Sequence, residues 1–236
     1  MGKDKVQIDY SVNNSKNKKN YKRKRDFQSD ENIDDYDNKR LKIKNKDKIK
    51  LFSKNKQIYT IGNVVHFTAS INQHTIEKVI RKITKIINLN DSKYKDTDEK
   101  LEIAYIVDSG GGCVTSTLKF IDFINMAREK HPYLVFTSII TGLVASAGTV
   151  MCICADNRYM TKHAFAMVHE LSAGNYGNYQ RLISHSKFIT NLHETLLDIY
   201  LENTKLSKKK LEVYLAQETW FSSKDYLKAG FVTKIV

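Results

Sequence analysis

A single proline, Pro132, and three cysteines are all that this chain of 236 residues contains of either type. An odd count of cysteines at 113, 152 and 154, without paired spacing, excludes a disulfide scaffold and fits an intracellular reducing compartment, the cytoplasm first. Cys152 and Cys154 stand two apart in a segment that reads as a buried helix, so their thiols diverge and cannot clamp a metal. The seven histidines form no H-x-x-x-H or Cys/His cluster, which argues against a metal enzyme, and no cofactor is expected. No run of about eighteen apolar residues is present, so no membrane span is expected. The longest hydrophobic stretch, 134–155, is interrupted by Thr137, Ser138, Thr141 and Ser146. The N-terminus lacks the apolar stretch of a signal peptide, and Val6 stands where a myristoylation site prefers Ser or Thr. Asp4 and Asp9 argue against an organelle transit peptide.

Apolar residues are scarce before about residue 57, and basic ones are not. Residues 1–56 carry a net charge of +9 out of +13 for the whole chain, rich in Lys, Asn and Asp and without helical or alternating periodicity. Such a composition buries too little surface to offset chain entropy, so a disordered basic tail is expected there. Its clusters at 22–25 and 39–44 resemble nuclear-import or polyanion-binding patches, which implies a nuclear option and weak, salt-dependent, non-specific nucleic-acid binding. A solvated, compositionally biased extension accounts for the same charges. No aromatic stacking pattern accompanies them, so sequence-specific recognition is not supported. The remaining residues, 57–236, suffice for one core and one domain.

Within that domain three segments carry chemistry. The strand-like Ile103-Ala104-Tyr105-Ile106-Val107 runs into Asp108-Ser109-Gly110-Gly111-Gly112-Cys113, a turn whose glycines permit positive φ and expose amide donors. Next, Gly142-Leu143-Val144-Ala145-Ser146-Ala147-Gly148 sets a serine among small neighbours at the start of an apolar helix. Small neighbours let a substrate backbone approach the hydroxyl, and free N–H groups at a helix start suit a developing oxyanion. Ser146 as a simple helix cap is the competing reading. Finally, Phe165-Ala166-Met167-Val168-His169 is a short strand ending in a histidine, either a satisfied structural residue or a base.

Apolar residues at 76, 79, 80, 83, 86 and 87 predict one helix, and Leu118, Ile121, Ile124 and Ala127 predict another over 115–130. A third spans about 178–202. Strands are expected at 58–61, 103–107, 134–140, 158–160, 165–169 and 231–236. Their alternation with helices implies an α/β fold with parallel crossovers.

In this order, the glycine turn at 109–115, the serine turn at 142–148 and Met167-Val168-His169 resemble the proteolytic subunit of the Clp protease, a serine peptidase family. The likeness extends over about residues 58–236, and Trp220-Phe221-Ser222 to Val232 resembles the family's closing helix, glycine and strand. It implies the ClpP/crotonase-like repeated β-β-α spiral with a protruding handle helix, and acyl-enzyme hydrolysis of peptide bonds in unfolded polypeptides or short peptides. By resemblance Ser146 is the nucleophile, His169 the general base, and Gly112 and Ala147 supply the oxyanion amides. Glu218 falls in the place of the orienting acid, with Asp225 as the substitute in another register. Gly111, Cys113, Val114, Leu171 and Ser172 fall where an extended substrate lies, between the glycine segment and a handle strand at 170–177. The family also implies heptameric rings paired as tetradecamers, homo-oligomeric or mixed, and an AAA+ ATP-driven unfoldase. Its docking groove usually has two aromatics where this strand has only Tyr105. Gly110 replaces the family's turn proline, and 170–177 lacks one as well. A catalytically weak or non-catalytic ring subunit is the alternative reading, and a crotonase-fold thioester enzyme the second.

Overall fold

Every second residue of β3 (Leu101–Ser109) turns inward in the computed structural model, which describes residues 57–236. The basic tail, with its clusters at 22–25 and 39–44, lies outside the described residues. β3 is central in a sheet ordered β1 (Ile58–Ile61), β2 (Val64–Phe67), β3, β4 (Leu134–Ala145), β5 (Asn157–Met160) and β8 (Lys234–Ile235). β6 (Phe165–Val168) joins the second half of β4 in parallel, and β7 (Thr219–Ser222) runs antiparallel to β6. Pairs β2/β3, β3/β4, β4/β5 and β5/β8 are parallel, as the alternation of strands and helices requires.

The helices follow the apolar periodicity. α1 (Gln73–Tyr94) buries Ile76, Val79, Ile83, Ile86 and Ile87. It starts at a reciprocal cap, in which the Asn72 side chain accepts from the Thr75 N–H and the Thr75 hydroxyl accepts from the Asn72 N–H. α2 (Val114–Lys130) buries Ile121, Ile124 and Ala127 as expected but leaves Leu118 half-buried, because Phe120 takes the deepest place, edge-on to Tyr105. α3 (Ala147–Ile153) is buried at every residue. α4 (Tyr179–Asn203) is the expected long helix, followed by α5 (Lys208–Ala216) and α6 (Ser223–Lys228).

Several elements depart from the sequence reading. β2, β7 and α5 are too short, at four to nine residues, for periodicity to single out. Of the closing strand only Lys234–Ile235 pairs. Residues 170–178 form no strand; a single extended segment needs a neighbour to satisfy its backbone, and past the Glu170 N–H, which donates to Leu215 O at 3.1 Å, no strand among the described residues pairs with it. Tyr105 does not face a surface groove: it is fully buried in the core.

Tyr105 instead helps to end α3. The last carbonyls of so short a helix lack helical partners. Here the Tyr105 hydroxyl donates to Met151 O at 3.1 Å, the Ser138 hydroxyl to Cys152 O at 2.9 Å, and the Arg128 guanidinium to Cys154 O at 2.8 Å. Burial holds the Tyr105 phenol well above its usual range, so it remains a donor. Tyr105→Phe strands the Met151 carbonyl in the core and is expected to cost about 1–3 kcal/mol, read as a lower urea midpoint with unchanged m.

β4 makes the turn that creates the site. Its first part, Thr137–Ile140, pairs with β5, and its end, Leu143–Ala145, pairs with β6. Between them Gly142 has φ +57°, and the Asp108 carboxylate packs against it while accepting the Leu143 N–H at 3.1 Å. The strand end therefore delivers Ser146 beside the loop that leaves β3, at the carboxyl ends of the parallel strands where ligands of such sheets bind.

Candidate active site

The glycine loop is fastened from beneath by a buried hydroxyl. Ser109 Oγ donates to Ala69 O at 2.6 Å and accepts the Gly111 N–H at 3.2 Å. Gly111 O then accepts the Ile71 N–H, and Ile71 O accepts the Cys113 N–H, both at 2.8 Å. The Gly112 N–H between them has no protein acceptor among the described residues. Gly112 has φ +144°, and a Cβ there would stand 2.2 Å from Ile71 O; one on Gly111 would stand 2.8 Å from Ser146 Cβ. Only glycine lets the loop touch both the Ile71 backbone and the serine turn.

Ser146 has φ +54° and ψ −129°, a backbone conformation that non-glycine residues rarely adopt. Such a residue is strained by about 1–3 kcal/mol and needs its surroundings to hold it. Its N–H donates to Met167 O at 2.9 Å, and its carbonyl accepts from the N–H and hydroxyl of Thr149. Although Ser146 occupies the N-cap position of α3, its hydroxyl caps nothing. Ser146 Oγ lies 2.8 Å from His169 Nε2 instead. The Ala147 N–H, first of α3, likewise has no acceptor among the described residues, and Gly112 and Ala147 line the same pocket as Ser146.

His169 follows β6 directly and is half-buried. Among the described residues no carboxylate makes a hydrogen bond or ion pair with it. Glu218 is not brought to the pair. It has φ +49°, its N–H donates to Leu215 O at 3.2 Å, and it ends α5 in the left-handed conformation, where its side chain is exposed. The residue that pairs across the ladder with Val168 is Thr219, and its hydroxyl already donates to Tyr214 O at 2.8 Å. Asp225 lies in the first turn of α6 and accepts from the Ser222 hydroxyl at 2.6 Å. Exposed side chains without contacts typically change energies by about 0.5 kcal/mol or less. Glu218→Gln is accordingly expected to leave the rate of active-site labelling within about twofold, measured with a fluorophosphonate probe.

Beside Ser146 and His169 lies a pocket of about 110 Å³. Of the residues placed along the substrate by resemblance, Val114, Leu171 and Ser172 line it, together with Gly112 and Ala147. Gly111, buried against the serine turn, and the exposed Cys113 do not line it. Hydrogen bonds from Ser116 and Thr115 hold the Cys113 thiol below its ordinary range, whereas burial pushes Cys154 up to about 12. The remaining wall was not legible in the sequence: Glu170 next to the histidine, Val150 from α3, His193, Leu196 and Tyr200 from α4, and Leu215 from α5. The helical spacing 193, 196, 200 on a half-buried face was the one available signal. Tyr200 Oη meets Thr149 Oγ1 at 2.5 Å, which binds α4 to the serine helix.

A family model described as Clp protease matches residues 52–236, the whole of the described region. The chain belongs to the Clp protease family. Clp proteases are peptidases, and thus hydrolases, and the chain is similar to several curated members. The ATP-dependent Clp protease proteolytic subunit 1 of Chlamydia trachomatis serovar D is 29% identical over 138 residues, 57% of this chain and 69% of that protein. The subunit of the same name from Protochlamydia amoebophila is 28% identical over 144 residues, 59% of this chain and 68% of that protein. That from Chlamydia pneumoniae is 27% identical over 138 residues, 57% and 70% respectively. No described helix of this Clp-family chain is long and apolar enough to cross a membrane.

Proposed function

We propose that residues 57–236 form a serine peptidase domain that hydrolyses peptide bonds through an acyl-enzyme on Ser146. The observation that carries this reading is the 2.8 Å contact between Ser146 Oγ and His169 Nε2, made by a serine in a strained conformation in a pocket that Gly112 and Ala147 also line. With Nε2 as acceptor, His169 takes the hydroxyl proton as Ser146 attacks the peptide carbonyl. The Gly112 and Ala147 amides receive the negative charge on the carbonyl oxygen. The same proton passes from His169 to the leaving amine, and a water then repeats the sequence to release the acid. An extended substrate would lie along the glycine loop and residues 170–172, read mainly through its backbone. Assembly into rings and feeding by an ATP-driven unfoldase belong to this proposal by family membership alone.

The test is incubation of the full chain with a fluorophosphonate, followed by peptide mapping of the adduct. An adduct on Ser146 is the expected result, and none on a folded protein overturns the reading. One observation favours a weak or non-catalytic subunit: no acid orients His169 among the described residues. In serine peptidases an amide in place of that acid lowers turnover about ten-thousandfold. A chain that labels slowly and hydrolyses peptides slowly is the form in which the two readings meet.

A further inference from the structure

We infer that His193 makes the pocket beside Ser146 selective for a substrate side chain with an apolar stem and a hydrogen-bonding tip. The inference rests on the peptidase reading of that site but concerns what its pocket holds. Val114, Val150, Leu171, Leu196 and Leu215 provide the apolar part of the lining, which the exposed Glu170 and Ser172 complete beside Ser146 and His169, and the space of about 110 Å³ is on the order of three or four waters at ~30 Å³ each. An unbranched side chain of four or five heavy atoms fits that description. Two of the side chains that line the pocket from α4 end in polar groups. The Tyr200 hydroxyl is already engaged with Thr149. The half-buried imidazole of His193 has no hydrogen bond to the protein among the described residues. An imidazole without a protein partner, set among the apolar residues of the pocket, discriminates by what it would leave unpaired: an amide-tipped side chain satisfies it, and a thioether of the same length does not.

Two product-like hexapeptides, identical except for a C-terminal Gln or Met, separate the alternatives because the two residues share stem length and differ at the tip. Their affinities are measured by fluorescence anisotropy on the full chain carrying Ser146→Ala, so that no turnover is needed. The Gln peptide is expected to bind about three- to tenfold more tightly than the Met peptide, the worth of one neutral hydrogen bond. His193→Phe, which keeps a ring without nitrogen, is expected to erase or invert that ratio, and His193→Asn to restore part of it. His193→Leu serves in place of the Phe variant if that one fails to fold. Equal affinities in the His193 protein, or a Gln preference that survives undiminished in the Phe or Leu variant, overturn the assignment. Labelling of the wild-type chain by the fluorophosphonate decides the peptidase reading separately. An unlabelled wild type whose Gln preference still depends on His193 would reject that reading and leave the pocket assignment standing.

Discussion

Replacing Ser146 by Ala is expected to abolish fluorophosphonate labelling, and replacing His169 by Ala to slow it by about 10⁴-fold or more. The two groups act as a unit, since the hydroxyl is a poor nucleophile until Nε2 takes its proton. Either substitution should therefore cost nearly as much as both together. A third variant separates chemistry from folding. Ser146→Gly removes the nucleophile but places glycine at φ +54°, ψ −129°, where it carries no strain. That variant should be unlabelled and yet more stable than the parent by about 1 kcal/mol, seen as a higher urea midpoint. Equal labelling of the parent and the Ser146→Ala chain would place the reactive serine elsewhere.

Gly112→Ala is the second large effect, and it works through backbone rather than through a reacting side chain. A Cβ at 2.2 Å from Ile71 O cannot be accommodated unless the loop leaves Ile71, and φ +144° is closed to alanine in any case. The bonds from Ile71 to Gly111 and Cys113 hold the Gly112 N–H in place, so the amide moves with them. Loss of one oxyanion donor costs about 10²–10³-fold in turnover. The measurement is kcat/KM for a fluorogenic peptide, compared with the same change at Gly110, where a Cβ meets nothing within 4 Å. Gly110→Ala should stay near the parent. Equal losses at both positions would show that general loop stiffness, not the Gly112 amide, controls the rate.

How far the sequence went depends on how local each feature is. The three segments of the site were legible because each announces its own backbone geometry: three glycines after a strand, a serine between small residues, a histidine at a strand end. The apolar faces of α1 and α4 were legible because their spacing is repeated over about three turns in α1 and more than four in α4. Glu218 was misplaced because its role is set by α5, a nine-residue helix with little periodicity of its own. Once that helix ends there, Glu218 takes the left-handed conformation and Thr219 becomes the strand residue. Tyr105 was given a surface because the inward and outward faces of a strand covered on both sides read alike.

By itself the amino-acid sequence determined the alternation of strands and helices, the places where only glycine serves, and the serine and histidine with the chemistry to form a pair. Each is a property of a short window, governed by local sterics and by the burial of one face. Only the tertiary structure decided that Ser146 Oγ and His169 Nε2 stand 2.8 Å apart, that no acid among the described residues joins them, and that His193 comes from a separate helix to their pocket. Those contacts join residues 23 to 47 positions apart. They depend on the bend of β4 at Gly142, the pairing of β6 with β7 and the packing of α4 on α3, which no single window of sequence contains.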